Sequence, residues 1–247
     1  MNSTTPAPSG PGQDVAALRV PVSRRVLAGC LATASLLAGL GMLGFLAWEY
    51  LGTDIVAEHR QADIRADLRA SWQYPTVPDV LGPKAADVTL GAADALIRIP
   101  RFGSGYEVPM IEGVRNSDLD HGIGHFPGTG PGQIGNFALA GYREVYAGPF
   151  DDMASLRPGD RVIVETADAV YTYRLDTDPN DLVVPLSQSW VTDPVPVPPK
   201  GAAPPGMPVA DSTGPTRALI TLATCSELFH RDSRMVTFGH LVSVTPK

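Results

Sequence analysis

A chain of 247 residues, 44% of them hydrophobic, is long enough for one ordinary domain with appendages and apolar enough to bury a core. Its formal charge is −7 at pH 7. Arg19, Arg24 and Arg25 against Asp14 give residues 1–48 a net +2, which leaves −9 on the remainder and argues against nucleic acid as a partner, because phosphates demand a basic face. Two cysteines, one inside a hydrophobic run, exclude a disulfide framework, and five scattered histidines without a CxxC pair point to no metal site and no cofactor.

Taken from the N-terminus, residues 1–25 are rich in Pro, Gly, Ser, Thr and Ala and predict a disordered tail. Residues 26–48 contain no charged side chain, and a helix of that length rises roughly 35 Å, enough to cross a bilayer core. Arg24 and Arg25 precede this run and Glu49 follows it. By the positive-inside rule the tail is then cytoplasmic and everything after Glu49 extracellular, on a single-pass anchor in the cell membrane. A cleaved signal peptide is the competing reading, but Trp48 and Tyr50 stand where small residues should precede a cleavage site.

Residues 49–92 read as a juxtamembrane stalk and linker. Ile55, Val56, Ile64, Leu68 and Trp72 fall at approximately helical spacing, and the prolines between Tyr74 and Pro83 end the pattern. From residue 93 to 247 the character changes to short alternating or apolar runs between Gly, Pro, Asn and Asp clusters: 95–99, 107–112, 136–140, 161–166, 170–175, 182–185, 218–225 and 235–244. About eight short strands with few helical signals argue for an all-β domain, closed or sandwich-like.

Two loops stand out. The glycine-rich stretch 118–135 suggests a backbone positioned by turn chemistry rather than by a strand ladder. Eight prolines between Thr192 and Pro215 stiffen the approach to the last strand pair, either as the wall of a groove or as a solvent-exposed excursion.

That last pair carries the chemistry. The run Thr216–Cys225 ends on a thiol, and a second run opens on Arg234; if the two strands pair, thiol and guanidinium sit side by side. A cation favours the thiolate, and a guanidinium can also donate to a developing oxyanion. The bland alternative is a small buried hydrophobe beside a solvated edge charge.

Other motifs turn that balance. Thr221-Leu222-Ala223-Thr224-Cys225 with Arg234 nine residues on is preceded by His125-Phe126-Pro127-Gly128-Thr129, by Gly135-Asn136-Phe137-Ala138-Leu139-Ala140-Gly141-Tyr142-Arg143, by Gly148-Pro149-Phe150 and by Leu156-Arg157-Pro158-Gly159-Asp160. In this order they resemble the sortases, most similarly the class E group of actinobacteria. The resemblance implies a closed eight-stranded β-barrel behind a transmembrane helix and a short helical stalk. It also implies a cysteine transpeptidase that cleaves an LPXTG-like signal, LAXTG in class E, through a thioacyl intermediate and joins it to a cell-wall precursor amine.

By the same resemblance Cys225 is the nucleophile and Arg234 the oxyanion-stabilising arginine, while His125, Thr224 and Ala140 are substrate-binding residues. Tyr142 stands where the family has its catalytic histidine. An imidazole titrates near pH 6.5 and a phenol near 10, so Tyr142 donates a hydrogen bond but never becomes a cation. His125 is then either a groove-lining residue or a substitute acid. A sortase without turnover, binding a sorting peptide or a cell-wall partner, is the alternative outcome.

Overall fold

The structure, a computed structural model, describes residues 24–48, 53–73, 91–143, 147–207, 214–225 and 232–247. The expected tail, the proline-rich break after the stalk, part of the second proline-rich loop and the link between Cys225 and Arg234 lie outside them. The chain divides into two compact units, residues 1–46 and 47–247. In the first, α1 (Arg24–Ala47) is a single apolar helix whose leucines are unburied, and Leu27–Phe45 is long and apolar enough to span a membrane.

The second unit is built on β1 (Ala93–Arg98), β2 (Val108–Glu112), β3 (Ile123–His125), β4 (Gly135–Ala140), β5 (Arg161–Glu165), β6 (Ala169–Leu175), β7 (Val183–Pro185), β8 (Ala218–Cys225) and β9 (Ser233–Pro246). They pair in the order β6-β5-β1-β2-β3-β4-β8-β9-β7, and a further β6–β9 ladder closes eight of them into a barrel. Closure is possible because β9 is long: Met235 and its neighbours pair with β7, whereas Gly239 to Pro246 pair with β6. An extra residue in β9 opposite Thr172 and Tyr173 makes a bulge that bends it between these partners.

Strand alternation explains the core. Ile97, Met110, Phe137, Leu139, Tyr173, Ile220 and Leu222 fill the barrel interior. A second cluster, containing Trp190, Val191, Ala223, Val236 and Phe238, covers the outer face of β8 and β9. Strand β8 is therefore buried on both faces, which is why its sequence is a near-continuous apolar run instead of an alternation.

One expectation is corrected. The glycine-rich stretch 118–135 contains β3, paired in parallel with β2 and antiparallel with β4, so a ladder does position it. Its signal was hidden because only three residues pair, and the central one must be glycine: a Cβ on Gly124 would lie 2.5 Å from the Gly113 carbonyl oxygen and 2.6 Å from Leu119. The stalk helix α2 (Thr53–Gln73) does form, but it packs on the barrel. Ala57 and Gln61 are buried there, Arg65 donates to the Glu107 carbonyl, Arg69 pairs with the Glu107 carboxylate at 2.6 Å, and the Lys247 ammonium sits 4.1 Å over the Trp72 ring. Ile64, Leu68 and Trp72 share that contact face, whereas Ile55 and Val56 remain exposed.

Candidate active site

Strand β8 ends between two partners that deliver the other candidate residues. On one side β9 runs antiparallel, and the Cα of Cys225 pairs with that of Arg234. On the other side β4 runs parallel, with Ala140 opposite Ala223. The Gly141 amide then donates to the Ala223 carbonyl at 3.2 Å, and the Thr224 hydroxyl donates to the Gly141 carbonyl at 2.5 Å. Cys225 and Arg234 thus sit side by side at the ends of β8 and β9, and Tyr142 follows two residues after the end of β4.

The backbone beyond β4 is held in this place. The Phe150 amide donates to the Tyr142 carbonyl at 2.9 Å, and Phe150 is fully buried among the interior residues. Gly141 allows the close approach, since a Cβ there would lie 2.8 Å from the Phe150 ring. Ala140 is half-buried at the end of the ladder, beside Gly124 of β3.

Arg234 is half-buried, and burial pulls its pKa below the ordinary guanidinium value. Its Nη2 donates to two carbonyl oxygens, Leu186 at 2.9 Å and Gln188 at 3.0 Å. Its Nε is buried and has no hydrogen-bond partner among the described residues. A guanidinium with one edge anchored and one donor open is preorganised to receive an acceptor atom.

Two of the expected substrate-binding residues are placed differently. His125 is 3% exposed on β3, with its ring 4.9 Å from that of Phe137 inside the barrel. Its Nδ1 lies 2.8 Å from a Glu112 carboxylate oxygen and its Nε2 3.0 Å from the Thr129 carbonyl oxygen. Both ring nitrogens thus lie within hydrogen-bond distance of an oxygen. His125 also pairs with Leu139, three residues short of Tyr142 or about 10 Å along the strand. It is a buried partner of Glu112. Thr224 is 5% exposed, and its hydroxyl ties β8 to β4 instead of facing a ligand.

Sequence reasoning missed Asn136. It is 3% exposed in β4, accepts from the Thr221 hydroxyl at 2.7 Å, and donates to the carbonyls of Val191 and Asp193 at 3.2 and 3.0 Å. The available signal was a lone amide inside the apolar run 135–140, since a buried amide needs partners.

Among known proteins, a sortase-domain family model matches residues 97–242. Sortase SrtE1 of Streptomyces coelicolor is 28% identical over 98% of this chain, and the match spans 66% of that relative's length. Of solved structures, sortase E of Streptomyces avermitilis superposes with a TM-score of 0.53 at 33% identity, over 64% of this chain and 93% of its own. Sortase E1 of Streptomyces coelicolor with a tripeptide in the active site does so with a TM-score of 0.50 at 31% identity, over 63% and 91%.

Proposed function

This chain belongs to the sortase family, and from that premise we propose that it is a membrane-anchored, class E-like transpeptidase whose nucleophile is Cys225. One observation supports the reading: in the β8–β9 ladder the Cα of Cys225 pairs with that of Arg234. Helix α1 is the single-pass anchor, the tail is cytoplasmic and residues 93–247 are the extracellular catalytic domain, with residues 49–92 linking the two.

The Cys225 thiolate adds to the threonine carbonyl carbon of an LAXTG- or LPXTG-like signal. Arg234 donates to the oxygen as it gains charge. The Thr–Gly C–N bond then breaks, the glycine amine leaves with a proton taken from solvent, and a thioacyl enzyme remains. An amine of the cell-wall precursor attacks that carbonyl, expels the thiolate and loses a proton, forming the new amide. Tyr142 contributes a hydrogen bond near the leaving amine, as a weaker acid than an imidazolium.

The test is mass spectrometry of the full-length protein in detergent after incubation with LAXTG and LPXTG peptides. A thioacyl adduct on Cys225, absent from Cys225→Ala, is expected. Folded protein that never acquires the adduct refutes the reading.

Tyr142 itself favours a second reading, a sortase that binds the signal without turnover. Losing general acid catalysis typically costs on the order of 10²- to 10⁴-fold. Tyr142→His therefore separates the two readings. A rise of at least about 10²-fold from a measurable basal rate supports a slow enzyme, whereas peptide binding with no adduct in either protein supports the binding module.

A further inference from the structure

The unassigned feature of this site is the segment Leu186–Asp193, which leads from β7 into the proline-rich loop. It is fixed at both ends. At its start, the carbonyls of Leu186 and Gln188 accept both hydrogen bonds from Arg234 Nη2. At its far end, the carbonyls of Val191 and Asp193 accept from the side chain of Asn136. Between them a short 3-10 turn, Ser189–Thr192, presses Trp190 and the fully buried Val191 onto the outer face of the sheet, with the Trp190 ring stacked 6.0 Å from Phe238.

Asn136 uses its whole amide: both Nδ2 hydrogens go to the segment, and Oδ1 receives the hydroxyl proton of Thr221, which is itself fully buried. A saturated buried polar network has one low-energy arrangement, because any displacement leaves a donor or acceptor unsatisfied. Strand β4, which carries Asn136, ends two residues before Tyr142, and β8, which carries Thr221, ends at Cys225. The same two strands therefore set both the nucleophile's position and, through the segment, that of the guanidinium.

We infer that Asn136 is a positioning residue for Arg234: by pinning Val191 and Asp193 it fixes the carbonyls of Leu186 and Gln188, which hold the guanidinium in place. This deepens the transpeptidase reading and rests on it for the role of Arg234. The geometry of the latch stands apart from turnover. Preorganised donors act over a fraction of an ångström, so a relaxed segment weakens oxyanion binding without touching substrate or sulfur.

Two experiments test it on the full-length protein in detergent. First, single-turnover acylation by an LAXTG peptide is measured for Asn136→Leu, which removes all three bonds, in the wild-type and Arg234→Ala backgrounds. A loss of at least about tenfold with Arg234 present, falling to less than about twofold without it, supports action through the guanidinium. An equal loss in both backgrounds, or none in folded Asn136→Leu, overturns the inference.

Second, the Arg234 Nε–H signal is followed by nitrogen-15 NMR and identified by its disappearance in Arg234→Lys. It is expected to shift and lose exchange protection in Asn136→Leu, and to a smaller degree in Thr221→Val, which removes one bond. An unchanged signal in a folded variant refutes the latch whether or not the protein turns over. A wild type that forms no adduct sinks the transpeptidase reading alone, and the NMR result then decides the latch. If Asn136→Leu does not fold, Thr221→Val decides in both experiments.

Discussion

Replacing Gly141 by alanine isolates the packing that sets the site. No φ at Gly141 falls in the left-handed region, so alanine's backbone preferences are not the obstacle. The obstacle is Phe150: the added Cβ would lie 2.8 Å from Cδ2, 3.1 Å from Cε2 and 3.2 Å from Cγ. Carbon atoms rest at about 3.5–4.0 Å, so the ring or the backbone must shift by roughly 0.7 Å or more. The ring has no free direction, being fully buried against Met153 and Leu156. If the backbone moves instead, it strains the bonds from Gly141 to Ala223 and from Thr224 to Gly141. Overpacking of this kind costs about 1–3 kcal/mol. For a domain of this size about 2 kcal/mol lowers the melting temperature by roughly 4–8 °C. The assay is thermal unfolding of Gly141→Ala, Phe150→Leu and the double variant, with acylation measured on the same samples. The double variant should lie above the sum of the singles by at least about 1 kcal/mol, because leucine makes room for the methyl group. A melting temperature for Gly141→Ala within 1 °C of wild type, or strict additivity, would refute the reasoning.

Three other outcomes follow from the same coordinates. His125→Ala should unfold readily, losing about 3–5 kcal/mol as it strands the Glu112 carboxylate in the barrel; acylation per folded molecule should stay within about threefold, and a loss near 10²-fold would restore His125 as the acid. Asp118 is almost fully buried, and hydrogen bonds from the Arg115 side chain hold its carboxyl below the ordinary carboxylate range. A depressed folded pKa gives stability that is present above the unfolded value, near 3.9, and lost as pH falls through the folded one. The gap in melting temperature between wild type and Asp118→Asn should therefore be full at pH 7 and close below about pH 4; a gap that widens in acid contradicts the sign. On intact cells, a membrane-impermeant thiol reagent should label Cys225 and not Cys30, and labelling of neither in a protein shown to be folded would argue against the extracellular orientation.

The barrel was legible because its strands carry local signals. Turn residues bracket each run, and the apolar stretch 218–225 reads as a strand, whose burial on both faces the structure adds. What stayed hidden depends on long-range contact. Three-residue β3 holds a glycine because Gly113 and Leu119 crowd it, and nothing local in Ile123-Gly124-His125 says so. The docking of α2 was masked for a related reason. Ile64, Leu68 and Trp72 carried part of its contact face into the sequence pattern, but the most buried positions, Ala57 and Gln61, do not register as an apolar stripe. Cys225 and Arg234 were adjacent on a simple pairing assumption, which the ladder bears out at the Cα level. The burial of His125 was not legible, because its partner Glu112 is contributed by another strand thirteen residues away.

The identity of residue 142 changes what the rest of the site must supply. With histidine there, a second titratable group would share the task of favouring the thiolate; with tyrosine, Arg234 alone of the three positions carries a permanent charge. Coulomb attraction falls as the inverse of distance, so doubling a separation from about 4 to 8 Å halves it, and water entering the gap reduces it further. Thiolate population and oxyanion stabilisation then depend on the same guanidinium, and its pose depends on two carbonyls of the Leu186–Asp193 segment. Under the proposed function, a site without that histidine depends more heavily on the pose of this guanidinium, and through the Leu186–Asp193 segment on the amide of Asn136.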